Sequence, residues 1–239
     1  MDDLAGLEAA IAGGADRIEL CAALDLGGLC PSAGLLAAAT RSPVPVYVMI
    51  RPRVGDFVFS KSDIDAMLRD VDAVRSAGLA GVVLGASLAD GSLDVETLER
   101  LCRASAGLGK TLHRAVDLCP DLVAAVDIAV QLGFDRILSS GGAPKAIEGL
   151  ETLKAMNRAA AEKLSIMPGS GVTAENATQI VAMTGARELH ASCSSLRVWA
   201  DIRIGAMGFA GGRQRYTDVD KVGRLRWVLD DVGADIDID

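Results

Sequence analysis

The sequence predicts an α/β protein built as a TIM-type (β/α)8 barrel. Seven short apolar runs alternate with longer amphipathic stretches, and their starts recur every 24 to 35 residues, room for a strand, a loop, a helix and a return loop. The chain has 239 residues, the usual size of such a barrel. No stretch rich in Pro, Ser or charge divides it, so residues 1–239 read as one domain.

The chain opens on a helix over 4–12, stopped by Gly13-Gly14. The strands follow at 16–21, 46–53, 81–85, 110–117, 136–141, 164–169 and 188–193, each rich in Val, Ile or Leu. Asp63 is placed as the cap of a helix ending near Gly78, and Asp94 as the cap of one ending near Gly107. Thr173 and Glu175 open another that ends near Gly185. A last helix runs from about Asp218 to Leu229, before an acidic tail over 233–239 expected to fray. Residues 194–217, with Trp199 and Arg213-Gln214-Arg215-Tyr216, read as plain surface or interface. Seven strands leave the barrel one short at its N-terminal side. The free edge beside 16–21 is expected to be disordered or covered by a second copy, making the protein a homodimer or higher homo-oligomer.

Composition narrows the function. Half of the chain is hydrophobic, so a sizeable core is available, but aromatics are only 3% and the core must be aliphatic. The net charge of −8 and the lack of a basic stripe argue against nucleic acid. No run approaches the roughly 18 apolar residues of a membrane span, and no N-terminal signal peptide is visible. Five widely spaced cysteines, an odd number with no CxxC pair, suit reduced thiols in a cytoplasmic protein.

Strand alternation sorts the side chains, with apolar residues marking the outward face. Glu19 and Cys21 then point in, as do Thr111, His113 and Asp117, and Glu188, His190 and Ser192. Leu138 is assigned outward and Ser139 inward. Arg51 shares a face with Tyr47, Met49 and Arg53 and is directed inward, because an unpaired arginine under a helix is costly. Both histidines of the chain therefore join a polar cluster near the C-terminal strand ends, where barrel active sites lie. In an enzyme Arg51 would clamp an anion, with Arg53 beside it, and His113 or His190 would act as general acid or base. Glu19 would be the partner base, and Asp117 would fix the tautomer of His113. Gly169-Ser170-Gly171, before a helix start, is the place where barrels hold a phosphate, with Ser139 and Ser192 as further donors. The ligand on this reading is a small phosphorylated or otherwise anionic molecule.

Read together, several stretches resemble the CutC family, named for copper homeostasis. They are Gly14-Ala15-Asp16-Arg17-Ile18-Glu19-Leu20-Cys21, Gly27-Gly28-Leu29-Cys30-Pro31-Ser32, Met49-Ile50-Arg51-Pro52-Arg53, Leu112-His113-Arg114-Ala115-Val116-Asp117, Met167-Pro168-Gly169-Ser170-Gly171 and Glu188-Leu189-His190-Ala191-Ser192. The resemblance implies a TIM barrel, a cytoplasmic location and a role in copper(I) binding or tolerance, with Cys21 as the metal ligand. The family begins with a strand carrying a further Glu and Cys, which is absent here. Its Cys would sit beside Cys21 as a two-thiolate site, and without it Cys21 is a lone thiolate.

Overall fold

A computed structural model describes residues 1–211, 213–232 and 237–238. Six parallel strands, β1 (Ile18–Leu20), β2 (Val46–Met49), β3 (Gly81–Leu84), β4 (Gly109–Leu112), β5 (Arg136–Ser139) and β6 (Ser165–Pro168), form one continuous sheet in chain order. The seventh expected strand, β7 (Glu188–Leu189), is not part of that sheet; it pairs with β10 (Asp237–Ile238) in a separate two-stranded ladder. His190 N donates to Pro168 O at 2.9 Å, which keeps β7 beside β6.

The outer edge of β1, expected to be disordered or covered by a second copy, is ordered and met by the chain's own residues. Asp16 N and Arg17 N both donate to Ile238 O, at 3.1 and 3.2 Å. Toward the other end of the strand, Met1 N donates to Glu19 O and Cys21 N to Met1 O, a parallel bridge. The edge thus finds backbone partners within the chain. Of the expected frayed tail, 237–238 belong to this edge; 233–236 and 239 lie outside the described residues.

Helices α1 (Leu4–Ala12), α2 (Ala33–Ala39), α3 (Lys61–Ser76), α4 (Val95–Ala104), α5 (Leu122–Gln131), α6 (Leu150–Ala160) and α7 (Ala177–Thr184) cover the outer faces. Their start signals are visible in hydrogen bonds. Asp3 caps α1 and Asp94 caps α4. The cap of α3 is Ser60, not Asp63; Asp63 is the third residue of a capping box and accepts from Ser60 N at 3.0 Å. Ile18, Leu20, Val48, Val82, Leu84, Leu112, Ile137 and Ile166 point from the strands into the layer beneath the helices, against Met67, Leu98, Val126, Leu153 and Ile180. Each such buried side chain contributes about 1.5–3 kcal/mol.

The strand interior is polar at its lower end. Tyr47 projects inward between two guanidiniums, with Arg136 Cζ 4.8 Å and Arg17 Cζ 5.6 Å from its ring centre. Glycines make the slot: a Cβ on Gly81 would fall 2.5 Å from Tyr47 Cδ1, and one on Gly109 2.7 Å from Cζ. Glu188 bridges both arginines, accepting from Arg136 Nε at 3.0 Å and from Arg17 Nη2.

Beyond β7 the chain adds a β-hairpin, β8 (Ser194–Val198) with β9 (Arg213–Thr217), enclosing the short α8 (Arg203–Ala206). The closing helix α9 (Val219–Asp231) is capped by Asp218 and packs on α1 and α7.

Candidate active site

Above the Tyr47 layer, at the C-terminal ends of the strands, lies a cavity of about 660 Å³. That volume suits a small metabolite. Glu19, Arg51, His113 and His190 all line it, brought together from four strand ends.

His113 is the best defined of these groups. It follows β4 directly and is 3% exposed. Its Nδ1 accepts from Ala115 N at 3.2 Å, which places the ring proton on Nε2. That Nε2 has no hydrogen-bond partner among the described residues. Burial, and then the Arg51 cation, push the imidazole down to about 3, so at neutral pH it is an uncharged donor. Its ring leans on Phe57 at 5.0 Å between centroids, and the Arg51 guanidinium covers the same Phe57 at 4.9 Å.

Arg51 is 6% exposed. Its Nη1 donates to Leu26 O and Gly28 O, and its Nη2 to Gly55 O at 2.8 Å. These bonds hold the 24–30 and 51–57 loops together and use three of the five N–H groups of the guanidinium. The Nε is buried and has no partner among the described residues. Opposite, His190 Nδ1 lies 4.0 Å from Glu19 Oε2, an acid–base pair contributed by β1 and the end of β7.

Other candidates part from this group. Asp117 does not orient His113. The extended strand ends at Leu112, and residues 114–118 form a 3₁₀ turn that breaks the alternation. Asp117 instead accepts from Ser139 Oγ at 2.6 Å, Ser140 N, Gly142 N and Arg114 Nε, closing the next loop. The phase of β5 is also opposite to expectation: Leu138 lines the cavity, while Ser139 bonds Asp117 and approaches Met156 of α6. Arg53 lies outside the cavity, bonded to Asp56 and Asp63 and stacked on Phe59.

Ser170, Gly171 and Ser192 do line the mouth. Ser170 and Gly171 have φ of 76° and 71°, and Ser170 is held in that strained region by its Oγ, which donates to Pro144 O at 2.8 Å. Gly169 lies behind them, where a Cβ would stand 3.2 Å from His190 Cβ. Three further cations complete the rim: Arg215 of β9, from the stretch read as plain surface or interface, and Lys221 and Arg224 of α9. The sequence offers only Arg213, Arg215, Lys221 and Arg224 interleaved with Asp218 and Asp220 after the last expected strand.

Cys21 is 1% exposed and packs with Met49 and Val83 beneath Leu24 and Tyr47. Burial pushes its thiol up to about 11, whereas copper(I) is held by thiolates. No three His, Cys, Asp or Glu side chains stand together as a metal-binding group among the described residues. All five cysteines are unpaired. The residues present do not fit a copper(I) centre.

Fold and site together define an α/β protein of the TIM-barrel type with a polar, cation-rimmed mouth. A model of the CutC family matches residues 1–195, and the chain belongs to the CutC family. It is 55% identical over 230 residues to a CutC protein of Rhizobium meliloti (strain 1021), covering 96% of this chain and 94% of that one. A Caulobacter vibrioides (strain NA1000 / CB15N) CutC protein is 52% identical over 219 residues, 91% and 89% of the two chains. A crystal structure of CutC from Streptococcus agalactiae, named for copper homeostasis, is 36% identical with a TM-score of 0.71, over 73% of this chain and 87% of that one. Thiamine phosphate pyrophosphorylase from Pyrococcus furiosus shares the fold alone, at 16% identity and a TM-score of 0.57, over 95% of this chain and 89% of that one. No helix among the described residues is long and apolar enough to cross a membrane.

Proposed function

We propose that this chain is an acid–base enzyme acting on a small, oxygen-rich anionic molecule bound in the barrel mouth. The observation that carries this reading is a pair of buried donors, His113 Nε2–H and Arg51 Nε–H, that line the cavity with no acceptor among the described residues. An unsatisfied buried donor costs about 1–3 kcal/mol. A ligand oxygen removes that cost. A neutral imidazole N–H suits a carbonyl oxygen that gains negative charge during reaction, because it stabilises the charge without first surrendering a proton. The His190–Glu19 pair on the facing strands supplies the group that takes and returns a proton.

Copper homeostasis, the role named for the Streptococcus agalactiae relative, finds less support in the site. Cys21 stands in an apolar cluster with its thiol protonated.

The test is a titration of the full chain with acetate, malonate, citrate and inorganic phosphate, read on imidazole ¹H–¹⁵N spectra. At least one oxyanion is expected to shift the His113 Nε2–H resonance in a saturable way, and His113→Gln to weaken its binding about tenfold. Silence of that resonance through the whole panel at millimolar concentration rejects the reading.

A further inference from the structure

We infer that the unit following the last barrel strand, β9 with α9, is a phosphate clamp, and that the ligand of this mouth is a phosphomonoester of a small molecule. The inference rests on the reading of the mouth as an anion site and adds the ligand's chemical class and the residues that select it.

The charge on the cavity wall points this way. Five cations, Arg51, Arg114, Arg215, Lys221 and Arg224, face two carboxylates, Glu19 and Glu175. A wall with that excess favours a dianion over a monocarboxylate. Two of the five are largely engaged within the chain. Arg51 ties loop carbonyls together, and Arg114 is bound to Asp117, Ser140 Oγ and the Ala143 carbonyl. Arg51 keeps its buried Nε for the deep end of the ligand, so the cations left for a phosphate at the rim are the three from β9 and α9.

Their present bonds are weak enough to be exchanged. Arg224 Nη1 meets Glu175 at 3.2 Å with side chains 67% and 62% exposed, and Arg215 Nε meets Asp25 at 3.2 Å with 54% and 59% exposed. Exposed pairs of this kind contribute about 0–1 kcal/mol. Among the described residues Lys221 Nζ donates to one acceptor, Ser194 O at 2.8 Å, and an ammonium has three N–H groups. Arg215 Nη1 reaches Ser194 Oγ at 3.3 Å, and Ser194 Oγ lies 3.2 Å from Ser192 Oγ. The result is a row of ammonium, guanidinium and hydroxyl donors across one wall of the mouth, the donor set that holds phosphate oxygens. The ligand's phosphate sits at this rim, and its reacting end reaches down to His113 and the His190–Glu19 pair.

All three cations lie beyond residue 195, where the family model's match ends. The clamp belongs to a part of the chain that the family pattern does not describe, so ligand choice and acid–base machinery reside in separate segments.

Isothermal titration of the full chain with inorganic phosphate tests the clamp, alongside Arg215→Ala, Lys221→Met, Arg224→Ala and the triple variant. Thermal melts show whether each variant folds. Phosphate is expected to bind the parent chain at millimolar concentration or tighter. Each single change is expected to weaken it about three- to tenfold, and the triple change to abolish it with the melt unaltered. Equal binding to parent and triple variant overturns the clamp. So does a mouth in which malonate or citrate shifts His113 while phosphate does not bind, and in both cases the anion-site reading stands. If no oxyanion of any kind binds, both readings fall.

Discussion

A β-carbon on Gly85 would fall 2.8 Å from His113 Nε2 and overlap the rest of the imidazole. Gly85 immediately follows β3, and its lack of a side chain makes the recess in which the ring is buried. Gly85→Ala is expected to tilt or expel His113 from that recess. Inserting one methyl group into a packed site costs about 1–3 kcal/mol. Chemical denaturation reads that loss, and the imidazole ¹H–¹⁵N spectrum reads the ring's new environment. A variant of parent stability with an unmoved His113 signal contradicts the packing described.

His113 also sets a pH dependence. Its folded value is about 3, against about 6.5 in an unfolded chain. Between those limits the unfolded chain binds a proton that the folded chain excludes. Stability from this group is therefore full above pH 6.5 and declines as pH falls toward 3, by about 1.4 kcal/mol per pH unit where the difference is one whole proton. Denaturation midpoints taken from pH 6.5 to 4.5 are expected to fall less steeply for His113→Gln than for the parent chain. Parallel slopes in the two proteins mean that His113 titrates normally.

The ion pair at the floor of the barrel has a different consequence. Glu188 is bonded to both Arg17 and Arg136, and Tyr47 lies between the two guanidiniums. Glu188→Gln preserves shape and removes the charge that joins them. Breaking a buried pair in this way costs about 3–5 kcal/mol. The expected result is a marked drop in the urea midpoint with an unchanged slope. A loss below about 1 kcal/mol would show that water reaches the arginines from below.

Residues were legible in the sequence wherever one physical rule acted alone. Ile18, Leu20 and Leu112 face the helices because burial decides their side, and alternation then carries Glu19 and His113 inward. The same rule inverted β5, because the mouth itself has an apolar wall, and Leu138 serves there as well as it would beneath a helix. Asp117 escaped because alternation holds only in extended chain, and the 3₁₀ turn over Arg114–Leu118 redirects it toward Ser139 and Ser140. Arg51 reaches the cavity as alternation directs, but its bonds to loop carbonyls leave no periodic trace, because tertiary structure distributes those acceptors. Arg215, Lys221 and Arg224 lie on a hairpin and helix outside the repeating unit, so nothing in the repeat indicates that they fold back over the strand ends.

Copper(I) provides the last prediction, because it separates the family's name from this chain's chemistry. A thiol at about 11, buried beside Met49 and Val83, gives little thiolate at neutral pH. Metal binding would have to supply both the proton loss and the desolvation of a charged sulfur in an apolar cluster. Competition with a chromogenic copper(I) chelator under reducing conditions is expected to give the same affinity for the parent chain and for Cys21→Ser. Alkylation by iodoacetamide at pH 8 is expected to spare Cys21 until denaturant is added, since the thiol is 1% exposed. A tight copper(I) complex that Cys21→Ser abolishes would require the apolar cluster to open on binding. It would return the copper(I) site to Cys21 despite the present packing.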